Sequence, residues 1–184
     1  MHAYQGRHVS AEQLDQLSCE VEIGRCGEPI GKQDQYAAAY GGLNLIEFRQ
    51  DDSVNVSPVI MRRDLRELLE QRIIVFYTGI TRSASAILQE QSEKSATDKE
   101  KQAALKRMVE LCYVMRDELS GGNIDSFGHI LDENWSLKKT LSSGITSPDI
   151  DGWYSSAMGA GALGGKLLGA GQGGFMMFYA PRER

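Results

Sequence analysis

Three stretches of this sequence hold residue types and spacings suited to chemistry. In Gly31-Lys32-Gln33-Asp34-Gln35-Tyr36, polar side chains open a run that is otherwise small and apolar, Ala37 to Tyr40, and that stops at Gly41-Gly42. A carboxylate at Asp34 can accept or orient a hydroxyl proton, with Lys32 supplying positive charge nearby. A carboxylate in the first turn of a helix is also what the macrodipole favours with no chemistry implied. The second stretch, Tyr77-Thr78-Gly79-Ile80-Thr81-Arg82-Ser83, leaves an apolar run and enters a helical pattern. Helix N-termini attract anions, and Arg82 can clamp a phosphate or carboxylate through two hydrogen bonds. The alternative is an ordinary capping turn with an exposed arginine.

The third stretch runs from Gly164-Gly165-Lys166 through Gly169-Ala170-Gly171-Gln172-Gly173-Gly174 to Phe175. Glycine permits left-handed backbone and close approach, and consecutive free amides can cradle a phosphate. A tight strand-to-strand connection at a crowded core would need the same glycines. No Gly-Lys-Ser/Thr ends the run and a strand pattern follows it, so it is neither a Walker loop nor a dinucleotide fingerprint.

These stretches need a scaffold, and 184 residues can bury a sizeable core. Apolar residues make up 41% and charged residues 24%, the balance of a soluble globular protein. The net charge of -5 excludes a broadly basic nucleic-acid-binding surface. Cys19, Cys26 and Cys112 are odd in number and form no Cys-x-x-Cys pair, so three free thiols in a reducing, cytoplasmic setting are expected. His2, His8 and His129 have no ligand spacing, and no metal-ligating set is assigned. The opening residues carry no signal-peptide pattern, and no apolar run is long enough to span a bilayer, so no membrane partner is expected.

Local patterns place the elements. A helix tail ends near Gly6, and Ser10 with Gln13 has capping-box spacing for the next helix, which Gly27 and Pro29 terminate. Gly31 to Tyr40 reads as a helix. Leu43 to Phe48 and Val54 to Ile60 read as strands around the turn Asp51-Asp52-Ser53. Asp64 to Gln71 is a short helix, and the continuous apolar run Ile73 to Tyr77 is expected to be a buried strand. Ser83 to Lys94 is helical. Asp98 caps a longer helix with Leu105, Met108, Cys112, Met115 and Leu119 on its inner face. Asp125 to Leu141 is a further helix, with Lys138-Lys139 on its solvated face, and Pro148 opens another. Lys166 to Leu168 and Phe175 to Tyr179 are strands. Trp135 and Trp153 fall in helical patterns, as core or substrate-wall residues. The sum is an α+β protein with helices packed on one sheet.

In their order and wording the three stretches together resemble the GHMP kinase superfamily, small-molecule kinases that act on galactose, homoserine or mevalonate. Lys166 to Tyr179 is similar to the family's C-terminal Lys-Leu-x-Gly-Ala-Gly signature. Gly31 to Phe48, Thr78-Gly79 with Arg82-Ser83-Ala84, and Asn134-Trp135-Ser136-Leu137-Lys138-Lys139 resemble the heptose-kinase branch, which phosphorylates D-glycero-D-manno-heptose 7-phosphate. The resemblance covers essentially the whole chain. It implies a GHMP-kinase-like fold, with a remnant of the N-terminal domain over residues 1–60 and a ferredoxin-like C-terminal domain over residues 61–184. It implies Asp34 as the catalytic carboxylate, and Lys32, Gln33, Tyr36, Thr78 and Arg82 as substrate-binding residues. Lys166, Gly169, Gly171, Gly173 and Gly174 would form the phosphate loop. ATP and Mg²⁺ would be used, and a sugar phosphate would be the small-molecule partner.

Two features depart from the family pattern. Gln172 interrupts a run that is usually all glycine. The family's Pro-x-Gly-Leu-Gly-Ser-Ser loop, which wraps the ATP phosphates, is not found in these residues. The expectation is therefore a kinase impaired in isolation, or a non-catalytic homologue that binds a sugar phosphate. The missing strands would leave an open sheet edge, able to take a second copy of the chain or an N-terminal partner fragment.

Overall fold

In the computed structural model, residues 3–80, 98–169 and 171–181 are described. The chain divides into two compact units, Met1–Val59 and Ile60–Arg184. The α+β class holds, but among the described residues each unit has its own sheet, one of two strands and one of three, where one common sheet was expected. The expected helix Ser83 to Lys94 lies outside the described residues.

The first unit begins with α1, Ala11–Cys19. Its capping box is formed in both directions: Gln13 N donates to Ser10 Oγ at 3.2 Å and Ser10 N to Gln13 Oε1 at 3.0 Å. The helix widens into a π-helical segment, Glu20–Arg25. Helix α2 is Gln33–Tyr40, and it stops where Gly41 and Gly42 take φ of 61° and 73°. Strands β1, Asn44–Phe48, and β2, Val54–Pro58, pair antiparallel, with Phe48 opposite Val54. Their turn is closed by Asp51, whose carboxylate accepts from Ser53 N and Oγ. Tyr36 is buried against this hairpin, 5.4 Å from the Phe48 ring and edge-on to it.

The second unit is built on β3, Ile73–Tyr77, β4, Gly164–Leu167, and β5, Phe175–Tyr179, in the order β3-β5-β4, all antiparallel. Helix α3, Arg63–Arg72, leads directly into β3. Helix α4, Lys99–Gly121, is capped by Asp98, which accepts from Glu100 N and Lys101 N, and it ends at Gly122 in the left-handed region. Helix α5, Ser126–Leu141, packs on β4, and α6, Pro148–Gly159, opens with proline in its first turn under a Ser147 cap. Close helix–strand approach is possible because Gly128 faces Gly164: a Cβ on Gly164 would overlap the Gly128 carbonyl. Trp135, Leu141, Ile145, Ile150, Leu167, Met176 and Phe178 form the core.

Two sequence expectations are corrected here. Ile73–Tyr77 is a strand but not a buried one. It is an edge of the sheet, with Val75, Phe76 and Tyr77 each more than half exposed. A continuous apolar run was expected to have neighbours on both sides, and among the described residues β3 has one. The inner face of α4 is centred on Ala104, Leu111 and Leu119, while Cys112 is exposed. Of the expected face Leu119 is buried and Leu105 and Met108 pack against the core, while Leu111 takes the place given to Cys112.

Candidate active site

The loop between β4 and β5 is held by its neighbours. Gln172 N donates to Ile145 O at 3.0 Å and Gly174 N to Ile80 O at 2.9 Å. Thr78 grips the loop twice, its amide and its hydroxyl both donating to Gly174 O at 2.9 Å. The structure thus brings Thr78 and the glycine loop together, and uses the Thr78 hydroxyl to fix backbone. Both readings left open for the glycines find a place. Gly171 and Gly173 allow close packing, since a Cβ would press on Ile145 or the Ile80 carbonyl. Gly169 and Gly174 take φ of 75° and 93° with open space around them. The amides of Gly169, Gly171 and Gly173 donate to no protein acceptor among the described residues. Gln172 adopts φ of 58°, a conformation that disfavours a side chain.

Lys166 projects from β4 to Asn134 on α5, with Nζ 3.0 Å from Oδ1. Lys138, one turn further along α5, donates to the Gly169 carbonyl. Lys138 therefore does not stand on a solvated face as expected. Burial first, and then the Lys166 charge, lower its pKa to about 8. Burial also lowers the Lys166 pKa, against a small opposing effect of Cys112. Lys139 turns instead to Asp151 at 3.4 Å and lies 5.9 Å from the ring centres of Trp135 and Tyr154. Beside this loop a cavity of about 340 Å³ is lined by Phe76, Tyr77, Thr78, Trp153, Met176 and Phe178. Trp153 is thus a wall residue, and Trp135 is core.

In the first unit Asp34 is exposed in the first turn of α2, and its carboxylate makes no hydrogen bond or ion pair among the described residues. Lys32 pairs with Asp52 at 3.5 Å, so the cation expected beside Asp34 is directed to the hairpin turn. Lys32 and Gln33 line a shallow groove of about 410 Å³ with Gly31, Phe48, Arg49 and Asp52. Tyr36, expected to touch substrate, is packed between Tyr40 and Phe48 and seats the helix. Arg82 lies outside the described residues.

Sequence reasoning missed two polar groups under α2. Gln35 is buried, its Nε2 donating to Glu22 Oε2 while its Oε1 has no partner. Asp15 is fully buried, and among the described residues its oxygens make no full hydrogen bond, the Gln16 amide giving only a weak favourable contact. Burial first, and then Glu12, raise the Asp15 pKa. The position of Gln35 next to Asp34 was visible in the sequence, but nothing local marks Asp15 as internal.

Residues 115–184 match the family model of the GHMP kinases C terminal. That part of the chain is similar to the C-terminal domain of the GHMP kinases. Across 167 residues the chain is 32% identical to the D-glycero-alpha-D-manno-heptose 7-phosphate kinase of Campylobacter jejuni, covering 91% of this chain and 49% of that one. It is 27% identical to the galactokinase of Pyrococcus furiosus, covering 91% of this chain and 53% of that one. A crystal structure of a D-glycero-D-manno-heptose 1-phosphate kinase from Bacteroides thetaiotaomicron superposes with a TM-score of 0.69 at 28% identity, over 100% of this chain and 49% of that one. The family match takes in the end of α4, α5, α6, β4 and β5, and the similarity to whole kinases extends through β3 and the first unit. The chain spans about half the length of these relatives. Among the described residues no helix is long and apolar enough to cross a membrane.

Proposed function

We propose that this chain serves phosphoryl transfer from ATP to a hydroxyl of a heptose phosphate, in the manner of its D-glycero-D-manno-heptose 7-phosphate kinase relative. The observation that carries the reading is the Asp34 carboxylate, without a partner among the described residues and exposed at the start of a helix that buried Gln35 and Tyr36 hold in place. An unpaired, accessible carboxylate can take the proton of an attacking hydroxyl as its oxygen bonds to the γ-phosphorus and the bond to the ADP oxygen breaks. Catalysis of this kind is mainly positioning and charge stabilisation. The undonated amides of Gly169, Gly171 and Gly173, with Lys138 and Lys166 close by, suit phosphate oxygens. Mg²⁺ would arrive with the nucleotide phosphates, which commonly supply several of its ligands. Among the described residues no group of three or more His, Cys, Asp or Glu converges to hold it.

The test is ADP release with ATP, Mg²⁺ and heptose 7-phosphate, beside galactose and mannose. Turnover that depends on the heptose phosphate is expected, at a low rate, since the loop that wraps the ATP phosphates in the family is not found in these residues. Asp34→Asn is expected to abolish it while changing stability by no more than about 0.5 kcal/mol, as for an exposed site. Wild-type turnover in that variant removes Asp34 from the mechanism. The half-length match to whole kinases favours one alternative, a homologue that binds the sugar phosphate without turning it over. Saturable calorimetric binding of heptose 7-phosphate with no ADP release would select it.

A further inference from the structure

Two lysine ammoniums converge on the entry to the glycine loop with no carboxylate partner among the described residues. Lys166 reaches Asn134 Oδ1, and Lys138 reaches the carbonyl of Gly169. Asn134 and Lys138 are four residues apart on α5 and so share one face, about 6 Å apart along the axis. Both partners are neutral oxygens. The neighbouring acids are engaged elsewhere: Glu133 pairs with Arg107 at 2.7 Å and Asp151 with Lys139 at 3.4 Å. The Cys112 thiol interacts with Lys166, and desolvation raises its pKa, which disfavours the thiolate as a balancing charge. Among the described residues neither lysine forms an ion pair with a carboxylate.

Two like charges held close and half-buried repel each other and lose hydration, a cost that a bound anion removes. The anion must be compact, carry about two charges and offer several acceptor oxygens. A phosphomonoester or terminal phosphate meets these requirements.

We propose that Lys138 and Lys166 form a phosphate-binding pair that takes a phosphoester group, with Lys138 as a binding residue beside the loop. The pairing is defined by its own charge, and the proposal rests on the kinase reading only for whether the phosphoester belongs to a nucleotide or to a sugar phosphate. Bound phosphate would return both ammoniums to the fully charged form.

The test uses the 184-residue chain and inorganic phosphate as the first probe, with affinity measured by calorimetry and by lysine side-chain NMR. Wild type is expected to bind phosphate and to show the Lys138 titration moving upward from about 8 when phosphate is present. Lys138→Gln keeps a donor for the Gly169 carbonyl but removes the charge, and is expected to weaken phosphate at least about tenfold. Lys138→Arg is expected to restore most of the affinity, and Lys106→Gln, an equal change of net charge on α4, to leave it unchanged. Wild type that does not bind phosphate, or Lys138→Gln that binds it normally, overturns the proposal. In further arms, a tenfold loss for ATP alone assigns the phosphate to the nucleotide, a loss for heptose 7-phosphate alone assigns it to the sugar, and a loss for neither overturns the pair. Phosphate binding that survives alongside absent turnover leaves the pair intact and counts against the kinase reading alone.

Discussion

The polar start of α2 and the glycine loop between β4 and β5 are built in opposite ways. At α2 the side chains proposed for chemistry, Gln33 and Asp34, are exposed, and the fold is secured by their neighbours Gln35 and Tyr36. At the loop there are few side chains, and the backbone itself is fixed by Ile80, Ile145 and Thr78. The first arrangement separates function from stability along four consecutive residues. The second makes one stretch responsible for both. Substitutions should therefore cost stability in the second unit where they cost only activity in the first.

The largest effect should come from adding one methyl group where α5 meets β4. Gly164→Ala places a Cβ onto the Gly128 carbonyl, and backbone on both sides leaves little room to yield. A loss of about 3 kcal/mol is expected. Both tryptophans, Trp135 and Trp153, lie in this unit, so their fluorescence during denaturation reads it alone. Gly152→Ala on α6 meets nothing within 4 Å and should gain about 0.5 kcal/mol from helix propensity. Equal effects of the two substitutions would mean that the close helix–strand contact does not exist.

Next in size is a change that should stabilise the first unit. Asp15 buries both carboxylate oxygens with no full hydrogen bond among the described residues. Its pKa is raised in the folded chain, so the folded state holds its proton longer than the unfolded one. As pH rises from below 3.8, the unfolded carboxyl ionises first, and this residue's contribution to stability falls until the folded carboxyl also ionises. Asp15→Ala should remove that acid-range decline and add about 1–3 kcal/mol at neutral pH. Hydrogen exchange of the α1 and α2 amides reads this unit. A destabilised variant would show that Asp15 has a partner in the folded protein. It would also weaken the contrast, because this unit would then depend on a buried charged contact as well.

These two sites show what the sequence could and could not disclose. The Ser10–Gln13 box, the Asp98 cap, Pro148 at the start of α6 and the Asp51–Ser53 turn were legible because each is decided within four residues. The edge position of β3 was not, because an apolar run does not show how many neighbours it has. On α4 the expected Leu105, Met108 and Leu119 do face the core, but the sequence could not show that Leu111 and not the adjacent Cys112 is the buried residue of its turn. The Asn134–Lys138 spacing was visible, but Lys166 joins it from 32 residues away. Asp15 carried no signal at all, since a lone aspartate after a capping box reads as an exposed helix residue.

The smallest effect tests the loop itself. Gln172 holds φ of 58° while its amide donates to Ile145 O, so the backbone imposes a left-handed conformation on a residue that resists it. A glycine in its place would occupy the same conformation freely, and its larger entropy loss on folding offsets part of that gain. Gln172→Gly should therefore stabilise the second unit by about 0.5 kcal/mol, seen as a small shift in the tryptophan-monitored midpoint with an unchanged denaturant slope. A loss instead would show that the Gln172 side chain contributes a contact worth more than the strain. The loop would then rely on side chains much as α2 does, and the contrast between the two regions would narrow to Gly171 and Gly173.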